Sequence, residues 1–437
     1  MAQDIFAEDF RTDPYWWDAA PRPRLDFEPL PKSCDLVVVG SGFTGLSAAL
    51  TAARGGRDTV VIEAEDPGYG ASSRNAGYVG RTLWHKFEPL VKKVGPKEAA
   101  RLQGDAVAAH HYVVDLIAKE QIECGFVYSG RFIGASTPRH YDHFAKDLEA
   151  IRKYGVEIEA EMIPKAEQKR EIDTDFCHGG LLIHGVGAVH PGLYHLGLLE
   201  RARNAGARVI ANTPVTNVAR ASGGGFTVST ARGSVQARDV LMATNGYRGA
   251  EMGWLQRRVI PVKAYIIATE PLPPQKLKRM MPGGRTFLDS RNNIWAVRLS
   301  PDNTRLICFG RTGINDGDLR SKARLLRDGL VAIFPELADV KLTHCWDGTM
   351  GFTFDKLPHI GMRDGIHYAA GYCGTGLPMG TYLGHKSALR ILGEDDARIA
   401  LEERRFPTRP LYFGTPWFLP AMMGYYNMRD RIDLWRG

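Results

Sequence analysis

No apolar run approaches the roughly 18 residues that a membrane-spanning helix needs, so the 437-residue chain is expected to fold in water. The first ten residues are acidic, where a secretory signal carries a basic start and an apolar core. A cytoplasmic location is the expectation. Cysteine is scarce. The six, at 34, 124, 177, 308, 345 and 373, are scattered without a C-x-x-C pair, which argues for free thiols and against a disulfide framework or zinc. The net charge of +7 is not gathered into a basic run or an aromatic-interleaved stripe, so no nucleic-acid partner is expected, while an anionic substrate is permitted. No internal repeat, no nucleophile–base triad and no metal-ligand cluster is visible. His184, His190 and His195 are loosely spaced, as structural histidines are. A hydrophobic share of 44% with 24% charged residues marks an ordinary globular protein, and the length suggests two domains.

What is present is concentrated near the start. Cys34-Asp-Leu-Val-Val-Val-Gly-Ser-Gly-Phe-Thr-Gly-Leu reads as a strand, a glycine turn and a helix, followed by a second strand that ends at Glu63. Residues 36–39 are apolar and mostly β-branched, as a buried parallel strand requires. Gly40, Gly42 and Gly45 give G-x-G-x-x-G, with Ser41, Phe43 and Thr44 between them. The first glycine permits the turn, the second lets a pyrophosphate approach the backbone, and the third lets the helix close on the strand. The helix start then offers free N–H groups to the phosphates. An acid about twenty residues on can accept ribose hydroxyls, which disfavours NADP and leaves FAD and NAD open.

The next segment, Pro67-Gly-Tyr-Gly-Ala-Ser-Ser-Arg-Asn-Ala-Gly-Tyr78, combines glycines with small hydroxyl residues, which suits close backbone approach to a ligand. Here the chain resembles the D-amino-acid-oxidase-like family of FAD enzymes, which includes glycine, sarcosine and γ-glutamylputrescine oxidases. Gly70, Ala71, Ser72, Ser73, Arg74, Asn75, Ala76 and Gly77 match that family's GAS-(S/G)-RN-(A/G)-G loop beside the flavin. Ala243, Thr244, Asn245 and Gly246 resemble its VxATNG segment. Gly371, Gly374, Thr375, Gly376 and Leu377 resemble its GxxGxG turn, whose N–H groups point at the flavin pyrimidine. Ala64 and Val215 join the cofactor set on the same resemblance.

The resemblance implies an α/β fold: a Rossmann-like FAD domain and a second, substrate domain on a mostly antiparallel sheet. Both are discontinuous, with the FAD domain at 31–95, 165–255 and 345–400 and the substrate domain at 96–164 and 256–344. Residues 1–30, rich in proline, aspartate and aromatics, read as an arm packed on the body. Residues 401–437 read as a strap. Helices are expected over 96–119, 192–205 and 377–392. Strands are expected over 259–269, 293–299 and 304–310.

The implied activity is oxidation of a C–N bond by hydride transfer to flavin N5, with later hydrolysis of the imine. It would act on a small amine or amino acid, with oxygen or another electron acceptor. Departures from the family narrow it. No lysine follows the last GxG, where sarcosine-oxidase-like members hold a substrate carboxylate. No lysine stands in 306–311, where they activate oxygen. Met350-Gly-Phe-Thr353 has no thiol at their flavin-tethering position, so FAD is expected to be non-covalent. Trp346, Phe352, Phe354, Tyr372, Tyr265 and Trp295 are pocket candidates, suited to an ammonium by cation–π contact. Arg298 and Arg311 are candidate carboxylate clamps. The γ-glutamylputrescine-oxidase type is the leading reading. A D-amino-acid or N-methyl-amino-acid dehydrogenase is the alternative. An RNA-modifying flavoprotein, a flavin-bearing subunit of a complex, and an NAD-dependent dehydrogenase are the readings from other classes.

Overall fold

The computed structural model describes residues 4–247, 253–310 and 318–436. The β-branched run Ser33–Val39 lies between Thr59–Ile62 and Gly233–Met242, parallel to both. Arg208–Ile210 and Ile366–Ala370 extend this parallel core on its two sides. Side chains alternate to opposite faces, and both faces are covered. Leu36, Val38 and Val61 meet the helices Phe43–Arg54 and Pro191–Asn204. Val37, Val39, Val60 and Ile62 meet Val215, Phe226, Val228 and Phe406 on the other side. Helix Gly376–Leu392 packs directly on Phe43–Arg54, so closely that a Cβ at Gly384 would stand 2.1 Å from the Thr44 carbonyl oxygen.

A second sheet has nine strands, in the order Phe6–Arg11, Leu342–Phe352, Ile260–Thr269, Leu306–Gly310, Trp295–Leu299, Thr286–Asp289, Arg131–Gly134, Gly180–Ile183 and Ala160–Ile163. All pairs are antiparallel except Phe6–Arg11 with Leu342–Phe352 and Thr286–Asp289 with Arg131–Gly134. One face of it, with Tyr265, Ile267, Val297 and Cys308, is sealed by helix Leu319–Ile333. The other face carries Ile266, Ile307 and Trp346, with Trp16 packed against them. The fold is the expected α/β pairing of a Rossmann-like unit with a mostly antiparallel sheet.

Three details differ from the reading of the sequence. Residues 6–11 of the packed arm form an edge strand, an element that the sequence reading did not specify. The stretches 165–255 and 345–400, expected in the nucleotide half, lend Gly180–Ile183 and residues 345–352 of the strand Leu342–Phe352 to the nine-stranded sheet. The tail ends in helix Leu419–Arg436. Its apolar residues Tyr425, Met428, Ile432, Leu434 and Trp435 are exposed, so no apolar stripe marked it. Among the described residues no helix is long and apolar enough to cross a membrane.

Candidate active site

The glycine turn is built by exclusion of side chains. Gly40 has φ +102°, and its N–H donates to the Ile62 carbonyl at 2.9 Å. A Cβ at Gly45 would stand 1.9 Å from the Gly40 carbonyl oxygen, so only glycine lets the helix start this close to the strand. The Glu63 carboxylate accepts the Ser41 N–H at 2.8 Å and the Ser41 hydroxyl at 2.6 Å through one oxygen. Its other oxygen accepts the Glu65 N–H at 3.1 Å. Ala64, beside it, is exposed.

His195, which the sequence marks only as structural, supports this turn from behind. Its Nε2–H donates to the Ser41 carbonyl at 2.8 Å, and its Nδ1 accepts from Arg22 at 3.2 Å. The ring is therefore neutral. Burial, reinforced by the Arg22 charge, holds it down at about 3. An imidazole that is neutral when folded leaves the unfolded chain with the extra proton from about 6.5 down to about 3. Its stabilising contribution is complete above 6.5 and is lost as pH falls through that window. His195→Gln keeps a donor but does not titrate. Its unfolding free energy is expected to fall less steeply than the parent's between pH 6 and 4, by about 1.4 kcal/mol per pH unit. Parallel slopes in denaturant titrations would show that His195 is not held neutral.

The loop after the second strand lies across the helix start. Ser72 Oγ accepts the Phe43 N–H at 3.0 Å. Ser73 Oγ donates to the Gly68 carbonyl at 2.5 Å and accepts Trp17 Nε1–H at 2.8 Å. Asn75 closes the loop on itself, donating to the Ala71 and Ser72 carbonyls and accepting the Gly77 N–H at 2.8 Å. The Arg74 guanidinium sits over the Trp17 and Tyr69 rings at 4.6 and 4.7 Å. Trp346 Nε1–H donates to the Arg74 carbonyl at 2.8 Å. Arg298 Nη1 donates to the Ala76 carbonyl at 2.9 Å and the Val189 carbonyl at 2.8 Å. Trp16 and Trp17, on the arm, thus secure the loop, a role that nothing in their sequence context signals.

A third segment completes the arrangement. Ala243 and Thr244 border Gly40. Asn245, in the left-handed region at φ +49°, accepts the Gly371 N–H through Oδ1 at 2.8 Å. Gly246 lies against the Met350–Gly351 backbone, where a Cβ would meet it at 3.0 Å. The Tyr372 hydroxyl donates to the Ala369 carbonyl at 2.9 Å and bonds the Thr44 hydroxyl at 2.6 Å. That link ties the second glycine turn to the first. Gly374, at φ +94°, has among the described residues only Trp84 near its absent Cβ, at 3.8 Å. Thr375 precedes helix Gly376–Leu392 without a side-chain cap bond, its hydroxyl donating to the Tyr372 carbonyl at 2.7 Å, and Leu377 is buried beneath. Val215 starts a strand and is buried on the far face of the first sheet.

The remaining candidates divide between the two faces of the large sheet. Trp346 and Arg298 face the loop. Tyr265 and Trp295 face the other way, toward helix Leu319–Ile333. Lys322 stands 5.3 Å from the Tyr265 ring, and Trp295 lies against Gly310 and Gly329. Strand alternation puts them there, and a single-residue register decides it. Phe352 meets Trp84 edge-on at 5.4 Å, whereas Phe354 packs with Tyr412 and Phe418 in the tail. Arg311 lies outside the described residues.

Two helix N-termini therefore converge on one region. In the first turn of Phe43–Arg54, the Thr44 and Gly45 N–H groups have no intrahelical carbonyl to take them, and the Gly376 and Leu377 N–H groups head the other helix likewise. Each end is partially positive. A cradle emptied of Cβ atoms, donors for a diphosphate and an acid at the strand end are what a dinucleotide requires. Residues 35–389 match the model of the family described as DAO, FAD dependent oxidoreductase.

The chain belongs to the DAO family of FAD-dependent oxidoreductases.

Among DAO-family relatives, the γ-glutamylputrescine oxidoreductase of Escherichia coli is 30% identical over 407 residues, covering 92% of this chain and 94% of that protein. A probable oxidoreductase OrdL of Haemophilus influenzae is 28% identical over 402 residues, covering 90% and 91%. The crystal structure of glycine oxidase from Geobacillus kaustophilus superposes with a TM-score of 0.66 at 21% identity, over 88% of this chain and 99% of that one. The likeness to it is one of fold.

Proposed function

We propose that this DAO-family protein is an amine oxidoreductase with non-covalently held FAD, acting on a C–N bond of an amine or amino acid and most akin to the γ-glutamylputrescine-oxidising type. The observation that carries the reading is the joining of the three cofactor-type segments. Ser72 bonds the first helix start, Asn245 bonds the second glycine turn, and Thr44 bonds Tyr372. In this reading the backbone around Gly40, Gly42, Thr44 and Gly45 holds the pyrophosphate and Glu63 takes the ribose. Residues 71–77 flank the ring system. The Gly376 and Leu377 N–H groups favour negative charge at its pyrimidine end. FAD held there would supply the hydride acceptor for oxidation of the C–N bond, the imine product then being open to hydrolysis. The chain's own groups orient the amine and exclude water, with Trp84 and Phe352 forming the aromatic wall next to the second turn. The near full-length likeness to the γ-glutamylputrescine enzyme supports an amine over a simple glycine-type substrate. So does the stretch Gly374-Thr-Gly-Leu-Pro378, which holds no cation.

Cys373, the thiol in that turn, is buried and pushed up to about 12 by burial, hence protonated. Acid precipitation of purified holoprotein is expected to leave all the yellow colour in the supernatant. Colour retained in the pellet would establish a covalent link. Carbonyl trapping during turnover with an artificial electron acceptor tests the reaction class. An aldehyde or keto acid is expected from an amine substrate, and none from any amine or amino acid offered would overturn the reading.

A further inference from the structure

One half-buried cation near residues 77–80 has two buried nitrogens with no hydrogen-bond partner among the described residues. Arg131 begins the strand Arg131–Gly134, and its Nε and Nη2 are buried with no hydrogen-bond partner among the described residues. The Nε–Nη2 edge is one on which a guanidinium takes a carboxylate side-on through two parallel bonds. Its neighbours do not answer it. The Tyr78 ring lies 5.0 Å from the guanidinium, and the Tyr78 hydroxyl is itself buried and unpartnered. His110, also near, is held neutral at about 4 by burial and by the Arg81 charge. Arg81 is engaged with Glu157 at 2.5 Å. Arg298 commits Nη1 and Nε to backbone carbonyls.

Arg131 and Tyr78 each keep some accessible surface, yet burial lowers the Arg131 guanidinium and raises the Tyr78 phenol. Groups that are surrounded by protein and still accessible line an internal space. That space adjoins the proposed flavin position. Tyr78 follows Gly77 directly, and its ring meets Phe309 at 5.7 Å, on the face of the large sheet that carries Ile266. A buried charge with no counter-charge is costly in a folded protein. An anionic ligand group would complete the site.

We propose that Arg131, with the Tyr78 hydroxyl, anchors a carboxylate of the substrate at the end remote from the amine that is oxidised. The proposal rests on the amine-oxidoreductase reading and names its substrate class: an amine whose far end carries a carboxylate. It places recognition on the large sheet, away from the cation-free turn at residues 374–378.

The test compares γ-glutamylputrescine with N-acetylputrescine, which has the same amine and no carboxylate, in anaerobic flavin reduction by the holoprotein. Arg131→Met is expected to raise the half-saturating concentration of γ-glutamylputrescine by about 30-fold or more, the scale of a lost charge-assisted pair. The limiting reduction rate and the N-acetylputrescine value should change little. Arg131→Lys should recover part of the loss, and Tyr78→Phe should lose a smaller factor. Calorimetric binding of glutarate to the holoprotein gives a second readout, and about tenfold weakening in Arg131→Met is expected. Equal losses on both amines, or glutarate binding unchanged in Arg131→Met, would overturn the anchor. If neither amine bleaches the flavin, the amine reading fails on its own, and the glutarate measurement still decides Arg131.

Discussion

Gly45→Ala is expected to purify with less than about a tenth of the parent's FAD. The added methyl would lie 1.9 Å from the Gly40 carbonyl oxygen and 3.2 Å from Val38 Cγ1. Neither neighbour is a flexible side-chain end, so the helix Phe43–Arg54 must retreat from the strand. Overpacking of this kind costs about 1–3 kcal/mol. The functional loss is larger because the displaced turn carries the Thr44 and Gly45 donors, and a shift of about 1 Å ruins a preorganised site. Gly104→Ala is the matched control. It sits within helix Pro96–Lys119 with open space at its Cβ, and gains up to about 1 kcal/mol in helix propensity. Absorbance of bound flavin per protein reads both. A fully loaded Gly45→Ala protein would show that the pyrophosphate does not sit on this turn.

Arg298→Met is expected to lower the thermal midpoint by at least about 5 °C, measured with excess FAD. The sequence offers Arg298 as a carboxylate clamp, whereas the fold gives it a different role. It donates to the carbonyls of Ala76, Val189 and Leu299 and packs 5.7 Å from the Trp16 ring. It fastens the end of the 70–77 loop to the large sheet. Removing it strands buried acceptors at about 1–3 kcal/mol each. Lysine is not expected to rescue, because one ammonium cannot reproduce the planar fork that spans these carbonyls. Full recovery of the midpoint in Arg298→Lys would show that charge alone is what matters there.

The glycine turn, the 70–77 loop and the two later glycine segments were legible because each demands residue types that little else explains. Gly45 has no room for a Cβ, Gly40 and Gly371 take positive φ, and Glu63 directly follows the strand Thr59–Ile62. The helices over 96–119 and 377–392 were legible from apolar spacing. What was not legible is what depends on distant partners. Tyr265 and Trp346 lie on the same pair of neighbouring strands, yet point to opposite faces by a single residue of register. His195 looks ordinary until the fold sets it between Ser41 and Arg22. Arg131 stands in an unremarked strand, and it is notable only because its Nε and Nη2 have no hydrogen-bond partner among the described residues. Trp16 comes from the arm to pack on the large sheet against Ile266, Ile307 and Trp346, which no local pattern encodes.

C–N oxidation is tested by anaerobic mixing of the yellow holoprotein with amines and amino acids, following the flavin absorbance. Acylated diamines, D-amino acids and N-methyl amino acids form the panel. Bleaching is expected with an amine-bearing compound, most readily with γ-glutamylputrescine. A flavin that stays oxidised with every member of the panel would contradict C–N oxidation as the reaction of this protein.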